Sequence, residues 1–391
     1  MGVEAGLDMS GFSTELKLLL SLLQFNSTDN DIRQIEKQYA GSDWDKFLQL
    51  AIHHRVYPFV YRKLSKIEND WIPSHILQTL RVNYQQNTFQ MLQLSAEMEY
   101  VMKQFSESNI RSLVLKGPIL AADLYGDISL RTSKDLDILI PYDKIEEADE
   151  ILSREGYMKE EYPIILKEWK WKTHHFSYLH STKKINIELH WRLHNPPDKE
   201  PSFQSLWERK RVSKLSNYPI NHLGNEDLYL YLMAHGARHG WFRLRWLLDI
   251  DQLSRKEFNR SLLKQLIKRS NNHYLIGQGM MLSSQLLHTS IPKNKNFVSS
   301  NKKIKDLAQY SILFIRNSEK YHASPEAIEK DLKRYSFSLQ TSFIKKIKYV
   351  LVRLYPTHED AEMVPLPKRL HFLYFPLRPF LWAWREKTGE E

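Results

Sequence analysis

The sequence predicts an α+β protein: a small mixed sheet flanked by an N-terminal and a C-terminal helical region. Three observations carry that prediction. Up to about residue 109, and again from Glu226 onward, apolar residues recur at helical spacing. Between residues 110 and about 200, short runs alternate apolar and polar side chains and are broken by turn formers. A chain of 391 residues is also long enough for two or three separate cores. The expected regions are 1–109, 110–215 and 216–391.

Ser13 is placed to cap a helix over Thr14–Phe25, where Leu16, Leu19, Leu20 and Leu23 form one stripe. A second helix starts near Ser42, with Trp44, Phe47, Leu48 and Ala51 at helical spacing. A long helix covers Ile76–Ser106, and its Leu77, Leu80, Leu92, Leu94, Met98 and Met102 read as core. Next come a strand over Arg111–Leu115, the turn Lys116-Gly117-Pro118 and a helical Ile119–Tyr125. A strand over Lys134–Ile140 leads into a helix with Asp143 as its N-cap and Gly156 as its stop. Strands over His174–His180 and Lys184–Trp191 are joined by Ser181-Thr182-Lys183. Helices follow over Asp227–Arg238, Leu244–Leu253, Glu257–Arg269, His273–Leu287, Ile304–Arg316 and Pro325–Tyr335, with Pro292–Lys303 as a polar loop. The basic, aromatic tail from Phe343 to Trp384 is expected to pack back onto the helical region. Pro376 and Pro379 should interrupt any clean amphipathic helix there.

The chain has no cysteine, which excludes disulfides and thiolate metal sites and fits a reducing compartment. Its first residues lack the pattern of a signal peptide, and Gly6 stands where myristoylation wants Ser or Thr. No apolar run reaches the roughly 20 residues that cross a bilayer. A cytoplasmic protein without transmembrane segments is the expectation. Fifty-six Lys and Arg against 46 Asp and Glu leave a net charge of +10, which favours polyanionic partners.

The main chemical signal is Asp135-Leu136-Asp137. On a strand both carboxylates project from one face, while Leu136 and Ile138 anchor the other. Two hard oxygen ligands so placed can share Mg²⁺ or Mn²⁺ with phosphate groups. Gly117 lets backbone approach a ligand closely, and the helix after it offers unpaired N–H groups to a phosphate. Lys116 and Arg131 bring positive charge to the same place. A second Asp-x-Asp, Asp249-Ile250-Asp251, falls on a helix, where neighbours two apart point about 200° around the axis from each other. It cannot clamp one ion, and Asp249 is expected to pair with Arg245 at i,i+4. The pairs His190/His194 and His235/His239 lack the intervening Glu of a zinc motif and read as structural or phosphate-contacting.

In order along the chain stand Leu115-Lys116-Gly117, Tyr125, Arg131-x-x-x-Asp135-x-Asp137, Gly156-Tyr157, Glu188-Leu189-His190-Trp191 and the His235–Asp249 segment. Over Ser112–Leu253 this series resembles the bacterial nucleotidyltransferases of the DNA polymerase β-like superfamily. The resemblance implies a nucleotidyltransferase core and a metal-dependent transfer from a nucleoside triphosphate to a small molecule or peptide. It implies metal binding and catalysis by Asp135, Asp137 and Glu188, with Glu188 as third ligand or general base. Phosphate binding would fall to Lys116, Gly117, Arg131, Ser133 and His190. Relatives that accompany peptide-modifying machinery make a peptide acceptor, already phosphorylated or not, part of the expectation. The chain departs from the pattern in having Pro118 after Gly117, a longer gap to Asp135, and Glu as the third acid. Two rivals stay open: a transferase that uses a nucleotide-sugar donor on the same metal pair, and a non-catalytic relative that binds RNA or protein. Nucleic acid is the less favoured partner.

Overall fold

The computed structural model describes residues 6–24, 29–66, 71–160, 173–195, 200–213, 215–270, 272–290, 301–317, 325–340 and 342–388. Five helices come first: α1 (Thr14–Leu23), α2 (Asp29–Tyr39), α3 (Trp44–His53), α4 (Tyr57–Leu64) and α5 (Ser74–Glu107). Ser13 caps α1 as expected, its hydroxyl accepting from the Leu16 N–H at 3.2 Å. The long α5 buries Leu80, Leu94, Met98, Met102 and Phe105. Leu92 was expected in that stripe but is 54% exposed. It lies one position, about 100° around the axis, from the buried Met91, which belongs to the stripe in its place.

The sheet has seven strands: β1 (Leu113–Val114), β2 (Asp135–Leu139), β3 (Tyr157–Lys159), β4 (His175–His180), β5 (Ile185–His190), β6 (Arg211–Ser213) and β7 (Ile220–His222). Their order is β3-β4-β5-β2-β1-β7-β6. The sheet is mixed, with β2 antiparallel to β1 and parallel to β5. Helix α6 (Pro118–Tyr125) follows β1, α7 (Ile145–Arg154) follows β2, and α8 (Phe203–Glu208) precedes β6. Asp143 does not cap α7: a 3₁₀ turn over Tyr142–Lys144 comes first, and the helix begins at Ile145. Gly156 does end it, at φ +86°. Strand β7 lies beyond residue 215, where the sequence reading ended the sheet-bearing region.

The alternation in β2 and β5 divides the apolar interior in two. Behind the sheet, Leu136, Ile138, Ile187, Leu189 and Tyr178 pack against Met98 and Phe105 of α5 and Ile151 of α7. In front, Leu113, Leu115 and Leu139 join a larger core built from α1, α3 and α4 together with α9 (Asn225–Arg238), α10 (Leu244–Ser254), α11 (Arg260–Ser270), α12 (His273–Leu287) and α13 (Lys302–Arg316). Each fully buried Leu or Ile in these layers contributes roughly 1.5–3 kcal/mol. The N-terminal and C-terminal helices therefore share one core across the sheet's front face. Side-chain amides tie them further, with Gln285 accepting from the Leu7 N–H at 2.7 Å and Gln309 from the Asp8 N–H at 2.9 Å.

Most of the expected loop, Pro292 through Ser300, lies outside the described residues. After α13 come α14 (Pro325–Leu339), α15 (Phe343–Arg353), α16 (His358–Met363) and α17 (Tyr374–Thr388). The tail packs back only through α15, whose Tyr349 meets Phe337 of α14 and whose Lys345 and Val352 line a cavity shared with the helical region, while the part beyond α15 does not follow. It makes its own small cluster around Tyr374 and Leu381, pinned by Arg378 and Arg385 on Asp360. Phe343, Ile344, Phe380 and Trp384 stay exposed. Nor do the prolines break α17: Pro376 sits in its first turn, where N–H groups have no helical partner anyway, and Pro379 is carried inside the helix. Among the described residues no helix is long and apolar enough to cross a membrane.

Candidate active site

Strands β2 and β5 build the floor. Their parallel register sets Asp135 opposite Asn186, Asp137 opposite Glu188 and Leu139 opposite His190, so the three acids and His190 share the front face. Leu136, Ile138, Ile187 and Leu189 hold that face in place from behind, all with no exposed surface. Strand β4 adds His175, paired with His190, on the same side. A cavity of about 740 Å³ opens in front, lined by Lys116, Ser133, Asp135, Glu188, His190 and residues of the covering helices.

Asp137 is fully buried beneath this cavity. Its Oδ1 lies 2.7 Å from the Lys116 ammonium and 3.3 Å from His190 Nε2. Burial would push the Asp137 carboxyl up, but Lys116 and His190 hold it far below the usual carboxylate range. Burial would likewise lower Lys116, yet Asp137 keeps it above the ordinary lysine value. The ammonium also sits 5.8 Å above the Tyr231 ring of α9. Asp135 behaves differently. Burial, and then the charge of Asp137, push its carboxyl upward. Glu188 is lowered in spite of burial, chiefly because His190 bonds to it, with Nε2 and Oε2 3.3 Å apart.

A divalent ion fits this face. The ligand atoms of Asp137, Glu188 and His190 all lie within 4.8 Å of one another, and two of the separations are 3.3 Å. Donors around a single ion at about 2.1 Å stand roughly 3–3.4 Å apart. Asp135 belongs to no such group of three among the described residues, although it shares the face. His190, expected at a phosphate, thus stands with the metal-ligand candidates. His174, His175 and His190 form a second cluster that sequence reasoning missed; only their place at the start of β4 and the end of β5 hinted at it.

Gly117 takes φ +77° and ψ −146°, a conformation open to glycine alone, and starts α6 with Pro118 at its first position. Pro118 has no N–H, so the donors of that helix end begin at Ile119. Ser133 lies on the cavity wall, but its hydroxyl bonds back to the Asp135 carbonyl at 3.2 Å. Arg131, expected at a phosphate, is 2% exposed and grips Asp249 through Nε and Nη2, with the Tyr125 hydroxyl on the same carboxylate at 2.8 Å. That pairing also replaces the expected Asp249–Arg245 bridge. Arg245 donates instead to the Thr132 carbonyl and hydroxyl. Asp251 points elsewhere, to Thr289 and Arg255, so the second Asp-x-Asp indeed closes on nothing.

His235 and His239 line the cavity beside Trp246, and burial pushes His239 down to about 4. His194 turns away from His190 and stacks on Tyr231 at 5.8 Å. The cavity wall also carries Arg55, Arg238, Arg243 and Arg245, and Arg55 and Arg245 stand near enough to Asp135 to feel its charge. Of these four, the sequence reading singled out only Arg245, and that as a partner for Asp249.

No curated protein matches the chain. Among solved structures, an antigenic nucleotidyltransferase-like protein from Paracoccidioides brasiliensis is similar at 12% identity, over 54% of this chain and 97% of that one, with a TM-score of 0.29. The model of a family described as uncharacterised nucleotidyltransferases matches residues 40–288, more than half of the sequence, and the chain belongs to that family.

Proposed function

We propose that the protein is a divalent-metal-dependent nucleotidyltransferase of the polymerase β-like kind, moving a nucleotidyl group from a nucleoside triphosphate to a hydroxyl or phosphate of a small molecule or peptide in the cytoplasm. One observation carries the reading: Asp135, Asp137 and Glu188 share one sheet face at the floor of a cavity whose wall carries several arginines. A bound Mg²⁺ or Mn²⁺ supplies charge that stabilises the phosphoryl transition state.

The chain's own groups would do the rest. Asp137 and Glu188, with His190, hold the ion, and Asp135 faces the open cavity beside them. Lys116 keeps Asp137 ionised and leaves its ammonium at the cavity edge. Glu188, 24% exposed, is placed to take the proton of an attacking hydroxyl. Gly117 and the Ile119 N–H bring backbone donors towards phosphate. Arg131 acts by position, fixing the loop before β2 through Asp249.

The test is incubation with nucleoside triphosphates and nucleotide sugars, with Mg²⁺ or Mn²⁺, followed by mass analysis of by-products. Pyrophosphate release that Asp135→Asn and Glu188→Gln abolish supports the reading. Release of nucleoside diphosphate from a nucleotide sugar would replace it with glycosyl transfer. Salt-sensitive RNA binding without any turnover would replace it with a non-catalytic role.

A further inference from the structure

Arg55 has a left-handed backbone, φ +55°. It stands just past the end of α3, where the Val56 N–H bonds to the Ala51 carbonyl at 3.1 Å and the Arg55 N–H to the Ile52 carbonyl at 3.0 Å. This is the helix-ending motif in which glycine is the favoured left-handed residue. An arginine there is strained, and a helix stop does not require its side chain. That side chain lines the cavity.

The same helix end meets the start of α10. The His54 carbonyl accepts from the Arg245 N–H at 3.3 Å, and the His53 carbonyl from Arg243 Nη1 at 3.4 Å. The junction gathers Arg55, Arg243 and Arg245 on one wall, near Ser133 and Asp135. Among the described residues, none of the three has a carboxylate within ion-pair distance. Arg245 is 8% exposed and its Nε has no hydrogen-bond partner. Burial lowers all three guanidiniums, Arg243 to about 10 and Arg245 to about 9, and neighbouring arginines lower them further, while Asp135 works the other way on Arg55, and Asp249 and Asp135 do so on Arg245. Three clustered guanidiniums with no carboxylate bonded to them, in a half-dry wall, suit an anion.

We infer that Arg55, Arg243 and Arg245 form the receptor for the terminal phosphates of a polyphosphate, supplied by the α3–α10 junction and not by the Gly117 turn. The site deepens the nucleotidyl-transfer reading and rests on it only for the identity of the donor. Three guanidiniums offer more fork-shaped donors than one phosphate can accept, so the wall suits a di- or triphosphate better than a monophosphate.

Inorganic triphosphate, titrated calorimetrically into the full chain with EDTA present, isolates this wall from metal and from acceptor. Wild type should bind triphosphate more tightly than orthophosphate, and more weakly as salt rises. Arg55→Gly and Arg243→Gln should each weaken binding by roughly tenfold or more. Unliganded Arg55→Gly should melt at or above the wild-type temperature, because glycine relieves the left-handed backbone. Unchanged triphosphate binding in both variants overturns the inference. So does a clear drop in the melting temperature of Arg55→Gly, which would make Arg55 structural. Triphosphate binding without any pyrophosphate release from nucleotides would leave this site standing and remove the proposed reaction instead.

Discussion

Arg131 and Asp249, 118 positions apart, meet in a two-point ion pair with 2% and 1% of their side chains exposed. The pair joins the loop before β2 to α10, and so sets the covering helices on the sheet's front face. Asp127 and Asn87 steady the same loop: Asp127 accepts from the Ser129 N–H and Asn87 donates to the Ser129 carbonyl.

Removing one partner of such a pair strands a buried charge. Asp249→Asn or Arg131→Met should cost about 3–5 kcal/mol in a urea unfolding experiment. The double replacement Arg131→Met with Asp249→Leu should cost much less than the sum. Additive losses would mean that the two side chains do not depend on each other.

Lys116 and Asp137 should write a pH signature. Asp137 is depressed, so its contribution is present above its unfolded value near 4 and is lost as pH falls through the folded one. Lys116 is raised, so its contribution is present below about 10.4 and is lost as pH rises through the folded value. The stability difference between wild type and Lys116→Met should therefore be broad and flat between about pH 4 and 10, narrowing outside. A difference independent of pH down to strong acid would contradict the pairing.

Gly117 and Gly126 bracket α6, and both have positive φ, +77° and +72°. Only Gly117 combines this with an extended ψ of −146°, whereas Gly126 sits in the ordinary left-handed region at ψ −1°. Space is not the issue at Gly117, where a Cβ would meet Leu136 at 3.6 Å. Gly126→Ala should cost about 1 kcal/mol and Gly117→Ala about 1–3 kcal/mol. Only the Gly117 variant should also weaken nucleotide binding, read as a shift in the calorimetric Kd. Equal effects on stability and none on binding would reduce Gly117 to an ordinary turn.

The floor of the site was legible because β2 and β5 alternate with period two: once one face is apolar, the polar face is fixed. Helices such as α1, α3 and α5 were legible through their stripes. The covering wall was not. Arg131–Asp249 is a long-range pair, and the local i,i+4 rule pointed to Arg245 instead. Arg55 gave no signal, because nothing in a sequence marks an arginine as left-handed. His174 and His175 look like the start of a strand until β4 pairs with β5. Strands β3, β6 and β7 have three residues each, too few to show a period. In the tail, apolar content suggested a core, but Phe343, Ile344, Ile347, Val350 and Leu351 form one stripe on α15 that stays exposed, and α17 leaves Phe380 and Trp384 exposed as well.

The two aspartates of β2 should respond oppositely to loss of charge. Asp135 has a raised carboxyl, so at neutral pH its ionised form is held in the fold at a cost. Asp135→Asn removes that cost and should raise the melting temperature. The gain should fade as pH falls through the folded value and vanish below the unfolded one near 4. Asp137 is the counter-ion of a buried ammonium, and Asp137→Asn leaves Lys116 stranded, so its melting temperature should fall. Both variants should lose pyrophosphate release. A site kept at the expense of stability by one acid and held together by the other is what catalytic use of Asp135 requires. Parallel drops in melting temperature would show that Asp135 is structural and would remove it from the proposed chemistry.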